Sequence, residues 1–450
     1  MSSFSKESVW QNSPTSSHNS ESTMFILRSF LSFQFVCLIT LCPNDSYAFQ
    51  ADGFKDIPLS SKITRVQPMT GIALWSDNDK VATDSISLEY RYCGYNEIVK
   101  PDGEYDFSKI DSLLDETAAR GHQAILRFYF VYVGKKTTVP DFIRSADGYD
   151  ETVGKSEGEK THFCDWSNQK LKDFTIEFYT RLAQRYDSDS RIAFLQTGFG
   201  LWAEYHIYDG PNKLGKTFPD KAFQTRFIKH MDQSFKNLPW SISVDSADYD
   251  YSPLEDNKEL LALNFGVFDD SFLCKNHPTE NAENWKVLQL DRWKRSPGGG
   301  EFSYYNDRDQ KMALTEKGPN GVPFSKSAAQ FHLSYIIGND QPEFRTMKEI
   351  ETAAMATGYR FKVSSAQRSD GGKGSTLRLK VTNNGVAPIY RDAYFAAGEK
   401  RSKTSLRGLL PGESKVLEIE NVNDTEVDNI SIQSDAILDS QTIQFDADLK

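Results

Sequence analysis

From about residue 70 to 340, short apolar runs alternate with amphipathic segments, and this alternation constrains the fold more than any other property of the chain. A strand followed by a crossover helix returns to its sheet in parallel, so repeated β/α units imply a parallel sheet with helices on its faces. The clearest unit spans residues 85–130. Ile86, Leu88 and Tyr90 alternate as on a strand, and Ser108-Lys109-Ile110-Asp111 reads as a capping box. Ile110, Leu113 and Leu114 then form the apolar stripe of a helix that Gly121 ends, and residues 123–130 supply the next strand around Ala124, Ile125 and Leu126.

A second helix is expected over 168–186, with Ser167 as N-cap and Leu171, Phe174, Phe178 and Leu182 on one face. It leads into an apolar strand at 192–197. Further strands are expected at 72–75, 242–244, 260–265, 287–290 and 329–335. Eight strands in this length favour a (β/α)8 TIM barrel, which typically takes about 250 residues, over an open doubly wound sheet with the same alternation. After a helix near 345–357 the pattern becomes all-β: Leu377, Leu379 and Val381 alternate, and Asp370-Gly371-Gly372, Asn383-Asn384-Gly385 and Pro411-Gly412 supply turns. This predicts a small sandwich of immunoglobulin or fibronectin-like architecture, without the Cys-Trp-Cys pattern of antibody domains. The expected organisation is an N-terminal extension (1–23), a signal peptide (24–48), an α/β barrel (49–358) and a sandwich (359–450).

The signal assignment rests on Met24, Arg28, the apolar run from Phe30 to Leu41, and Ser46-Tyr47-Ala48 as a small-x-small cleavage site. It predicts a secreted or periplasmic protein that meets a membrane only through this cleaved segment. Three cysteines would remain, Cys93, Cys164 and Cys274, without zinc or redox spacing, and they are expected to be buried free thiols. A net charge of −11 argues against a nucleic-acid partner, because phosphate contacts need clustered Lys and Arg.

In a barrel the chemistry gathers at the C-terminal ends of the strands. Trp202-Ala203-Glu204-Tyr205-His206 follows the strand at 192–197 through Gly198 and Gly200, placing a carboxylate, an imidazole and aromatic rings at the mouth. Gly298-Gly299-Gly300-Glu301 is expected as an irregular stretch after the strand at 287–290. Two such carboxyl groups are what glycosidic cleavage requires, one to protonate the departing oxygen and one to attack or activate water. Trp202, His206, Arg91, Arg127, Asp245, Trp293 and His332 are the candidate substrate-binding residues: rings to stack on sugars, imidazoles to bond hydroxyls, and arginines to hold a carboxylate ionised. Asp269 and Asp270, placed after the sixth strand, fit either substrate contact or helix capping. No metal and no cofactor is expected. Asp245, Asp248 and Asp250 lack the EF-hand order, no two histidines have zinc spacing, and the glycine run lacks the Lys-Ser/Thr of a nucleotide-binding loop.

Tyr92-Cys93-Gly94-Tyr95-Asn96-Glu97, followed by Pro101 to Asp111 with Gly103, Tyr105-Asp106-Phe107 and Ile110-Asp111, resembles the second-strand segment of clan A glycoside hydrolases. Gly198 to His206, Gly299 to Glu301 and Phe331 to Tyr335 resemble a related group of secreted barrels with a C-terminal β-sandwich. The resemblance implies a retaining mechanism, with Glu204 as acid/base and Glu301 as nucleophile. It departs from the clan in having Ala203-Glu204 for Asn-Glu, several residues beyond the strand. The expected activity is cofactor-independent hydrolysis of a polysaccharide or oligosaccharide. A non-catalytic carbohydrate-binding protein on the same scaffold is the alternative. A lyase or esterase ranks last, since no Gly-x-Ser-x-Gly elbow is present.

Overall fold

The computed structural model describes residues 53–248, 250–369 and 374–450. The expected signal peptide and the turn at 370–372 lie outside them. Eight parallel strands close into a barrel. They are β1 (Gly71–Trp75), β2 (Leu88–Gly94), β3 (Gln123–Tyr129), β4 (Ile192–Thr197), β5 (Trp240–Ser243), β6 (Gly266–Phe272), β7 (Gly298–Phe302) and β8 (Tyr335–Ile337). Each pairs with its sequence neighbours, and β8 returns to β1 through Tyr335↔Gly71 and Ile337↔Ala73. The barrel and sandwich classes expected from the sequence are both present.

The best-patterned elements are those with the strongest periodicity. Helix α1 (Ser108–Ala119) and helix α2 (Gln169–Tyr186) pack on β3 and β4. On α2, Leu171, Phe174, Phe178 and Leu182 are buried on one stripe, each such side chain contributing about 1.5–3 kcal/mol. The caps differ from expectation. Asn168, not Ser167, caps α2 by accepting from the Leu171 amide at 3.2 Å. The capping box at Ser108 does not form, because Asp111 instead accepts from the Tyr186 hydroxyl at 2.9 Å and pairs with Arg185 across the helix interface.

The last three strands are displaced from their predicted positions. Residues 260–265 begin as a helical turn, Lys258–Leu261, because Asn257 caps the Leu260 amide. Residues 287–290 follow helix Ala282–Val287, and residues 329–330 belong to helix Phe324–Gln330. The true seventh strand is the glycine-rich run itself, which strand propensity disfavours. Packing supplies the reason. A Cβ at Gly299 would come closer than 3.0 Å to the Tyr335 ring, and one at Gly300 would enter the Asp269 backbone. Tyr335 fills the interior that β7 leaves empty, stacked 4.8 Å from Phe194.

The C-terminal region is a two-sheet sandwich. Strands β9 (Phe361–Ser369), β10 (Ser375–Asn383), β13 (Ser414–Val422) and β15 (Phe445–Leu449) form one sheet; β11 (Tyr394–Ala397), β12 (Lys400–Arg401) and β14 (Ile430–Gln433) form the other. Residues 54–61, which the sequence reading groups with the barrel, pair with this sandwich: Phe54–Asp56 on β9 and Leu59–Ser61 on β15. The sandwich plugs the N-terminal end of the barrel. Arg391 donates to the Ile192 carbonyl at 3.2 Å, Gln123 to the Ala436 carbonyl at 2.9 Å, and Tyr359 to the Pro68 carbonyl at 3.0 Å. Only the opposite end, where the strands finish, is left for a site. Cys93, Cys164 and Cys274 are buried free thiols.

Gly299→Ala is expected to destabilise the fold by about 1–3 kcal/mol in urea denaturation, through overpacking against Tyr335. Adding Tyr335→Leu should recover part of that loss; strictly additive effects would rule out this contact as the cause.

Candidate active site

The segment after β4 turns back over the barrel mouth. The Gly200 amide donates to the Glu204 carbonyl at 2.8 Å, the Leu201 amide to the His206 carbonyl at 3.0 Å, and the Trp202 amide to the Val131 carbonyl at 3.0 Å. Trp202 and Ala203 adopt left-handed backbone, φ 53° and 59°, a local strain that these bonds offset. Only glycine fits at 198 and 200, because a Cβ there would enter the carbonyls of Ala203 and His206. The chain then alternates. Leu201, Ala203, Tyr205 and Ile207 are buried beneath, while Trp202, Glu204, His206 and Tyr208 face upward. Tyr205, expected beside Glu204, is therefore part of the core against Phe199 and Phe218.

Arg127 lies below this loop, fully buried on β3. Its Nε donates to Gln196 Oε1 at 2.8 Å, and its Nη1 donates to Asp270 Oδ2 at 2.5 Å and to the Tyr92 hydroxyl at 3.2 Å. The same Nη1 is 4.0 Å from Glu204 Oε1. Its guanidinium carbon sits 4.1 Å from the centre of the Phe268 ring and 5.4 Å from that of Tyr90. A buried cation needs such a set of partners, since desolvation without them is prohibitive.

The acids come from successive strands: Glu204 after β4, Asp245 directly after β5, Asp270 on β6 and Glu301 on β7. Along β6 the side chains alternate. Phe268 and Asp270 face the interior with Arg127, whereas Asp269 faces outward to Asn281 at 2.9 Å and Trp285 at 3.2 Å. Asp269 is thus structural, and both aspartates lie within the strand rather than after it. Glu301, likewise inside its strand, is buried opposite Ile337 of β8.

The other side of the mouth is aromatic. Trp75, Tyr92, Tyr129, Tyr132 and Trp202 form a chain of edge-on contacts with ring centroids 5.5–6.4 Å apart, and Tyr208 stacks on Trp202 at 6.2 Å. An acidic arc facing an aromatic arc suits a polyhydroxylated ligand with one apolar face.

His206 Nε2 lies 2.9 Å from Glu204 Oε2. Burial raises the Glu204 carboxyl to about 7, and the charge of Asp270 adds to this against the pull of His206. Burial works against the charged form of His206, but Asp245 and Glu204 outweigh it and raise the imidazole to about 9. The pair therefore retains a proton at neutral pH. Glu204, His206 and Asp245 each bring one donor atom to within 4.8 Å of the others, the spacing of a cation site. Arg127, the cation beside them, is itself paired with Asp270. Asp245 itself accepts from the Ser243 hydroxyl, and Asp248 and Asp250 are exposed.

Three of the expected binding residues lie elsewhere. Trp293 and His332 stack on each other at 3.6 Å at the closed end, where His332 Nδ1 contacts the Val386 carbonyl at 2.6 Å. They join barrel to sandwich. Arg91 alternates with the inward Tyr90 and Tyr92 and so points to the helical shell. These three placements follow from strand parity and from the shifted seventh and eighth strands.

No family model matches the chain, and no curated protein sequence does. Among solved structures it is similar to a glycoside hydrolase family 30 subfamily 8 xylanase, Xyn30A, from Clostridium acetobutylicum, at 10% identity over 81% of this chain and 97% of that one, TM-score 0.37. It is also similar to the alpha-galactosidase TtGalA from Thermus thermophilus, at 13% identity over 71% and 66%, TM-score 0.38. An alpha-amylase from Lactobacillus plantarum gives 10% identity over 78% and 98%, TM-score 0.37. At such values the likeness transfers no functional residue. The barrel itself is established by its own strand order.

Glu204 and His206 both bind protons more tightly in the folded chain than in the unfolded one, whose values are about 4.3 and 6.5. Their contribution to stability is full at low pH and is lost as pH rises through about 7 for Glu204 and about 9 for His206. Urea denaturation across this range should show the wild type losing more stability than Glu204→Gln/His206→Gln. Parallel curves would mean that the pair holds no shared proton.

Proposed function

We propose that the barrel mouth hydrolyses glycosidic bonds of an oligo- or polysaccharide with retention of configuration. The observation that carries this reading is the Glu204 carboxyl, whose proton affinity burial raises to about 7, held 4.0 Å from the arginine that binds a second carboxylate. A general acid beside an ionised carboxylate is the pairing that glycoside cleavage needs. Glu204 protonates the leaving oxygen and then, as its conjugate base, activates water. The attacking group comes from the β6–β7 side of the mouth, where the sequence resemblance places Glu301 and the structure adds Asp270. Trp202 and Tyr208 offer stacking faces to the sugar, and His206 orients Glu204 through its Nε2 contact.

The leader-like segment at 24–48 supports export, and with it an extracellular or periplasmic carbohydrate as substrate. No cofactor enters the reaction as proposed.

Glu204→Gln is expected to lower kcat on unactivated glycans by at least about 100-fold, the typical worth of a general acid, while leaving the unfolding free energy within about 1 kcal/mol of the wild type. The wild type should release product of retained anomeric configuration, followed by NMR on a panel of polysaccharides. Inverted product would exclude double displacement. Binding without release across the panel would favour the carbohydrate-binding alternative.

A further inference from the structure

We propose that Asp270, rather than Glu301, is the carboxylate that attacks the anomeric carbon. This inference rests on the glycosidase reading above and names its nucleophile. Asp270 Oδ2 and Glu204 Oε1 lie 2.5 Å and 4.0 Å from the same Arg127 Nη1 atom. The two carboxylate oxygens therefore cannot be further apart than those two distances laid end to end. That limit admits the separation of about 5–5.5 Å found in retaining enzymes.

The two oxygens of Asp270 are differently placed. Oδ2 is fixed by the guanidinium, whereas Oδ1 has no hydrogen-bond partner among the described residues. The side chain sits on a strand rather than a loop, and Arg127 is itself held by Gln196, whose amide donates to the Tyr335 hydroxyl at 2.6 Å. Asp270 is thus aimed by a chain of bonds that crosses the barrel. Asp270 is the acid whose charge acts most strongly on Glu204.

In the first step Asp270 Oδ1 forms a bond to the anomeric carbon as the glycosidic C–O bond breaks. The bonding pair leaves with the aglycone oxygen, which takes the proton of Glu204. In the second step water loses a proton to Glu204 and attacks the same carbon, and the ester pair returns to Asp270. Arg127 bonds the other oxygen throughout.

The test is mechanism-based labelling of the full mature chain with 2,4-dinitrophenyl 2-deoxy-2-fluoro glycosides of glucose, galactose and xylose, read by peptide mass spectrometry. The glycosyl adduct is expected on the peptide containing Asp270, and an adduct on Glu301 would overturn the proposal. A second readout does not depend on trapping. Asp270→Gly should lose turnover by at least about 1,000-fold and regain it with azide as a glycosyl azide of inverted configuration. Azide rescue at Glu301→Gly but not at Asp270→Gly would likewise overturn it. Failure of the wild type to cleave any glycoside is a separate result, seen before labelling, and it removes the glycosidase reading together with this assignment.

Discussion

A buried guanidinium organises this barrel. Arg127 carries a full charge at zero exposure, and the interior side chains around it are chosen by that fact: Gln196 below, Asp270 and Tyr92 above, Phe268 and Tyr90 against its faces. Removing a charge from water costs several kcal/mol even after relaxation, so each partner is needed for the cation to stay. The same set fixes the floor of the mouth. The Trp202 carbonyl, which accepts from Nη1 at 3.3 Å, ties the returning loop to that floor and so brings Glu204 over it.

The loop after β4 shows how backbone chemistry answers a positional problem. Glu204 lies too far beyond its strand to reach the mouth on an extended chain. Gly198 and Gly200 allow the chain to fold against itself, and two residues in left-handed conformation complete the reversal. Burial and the nearby Asp270 charge then keep its proton near neutrality. Fold, strain and acidity are links of one chain: the turn delivers the carboxyl, and the crowded acids at its destination set its proton affinity.

The legible parts of the sequence were those where local period and tertiary role agree. Leu88–Gly94, Gln123–Tyr129 and Ile192–Thr197 are strands rich in branched and aromatic residues, and α2 carries its stripe at the helical period. The sixth to eighth strands were less legible. Leu260-Leu261 is apolar yet capped into a turn, while Gly298-Gly299-Gly300 has no strand propensity and becomes a strand because Tyr335 occupies its inner face. That displacement also obscured Asp270. Once β6 is taken as Gly266–Phe272, parity alone turns Phe268 and Asp270 inward and Asp269 outward.

By itself the sequence determined the β/α alternation, the sandwich that follows it, and the arrival of Glu204 and His206 at the end of the fourth strand, since these follow from period, turn residues and order along the chain. Tertiary structure alone decided which acids meet. Closure of the barrel brings β3, β4, β6 and β7 around one point, so Arg127, Glu204, Asp270 and Glu301 become neighbours across as many as 174 residues of chain. Closure also sends Trp293 and His332 to the sealed end and turns Arg91 outward. Those outcomes depend on register and parity, which a one-residue shift reverses and which only the packed core fixes.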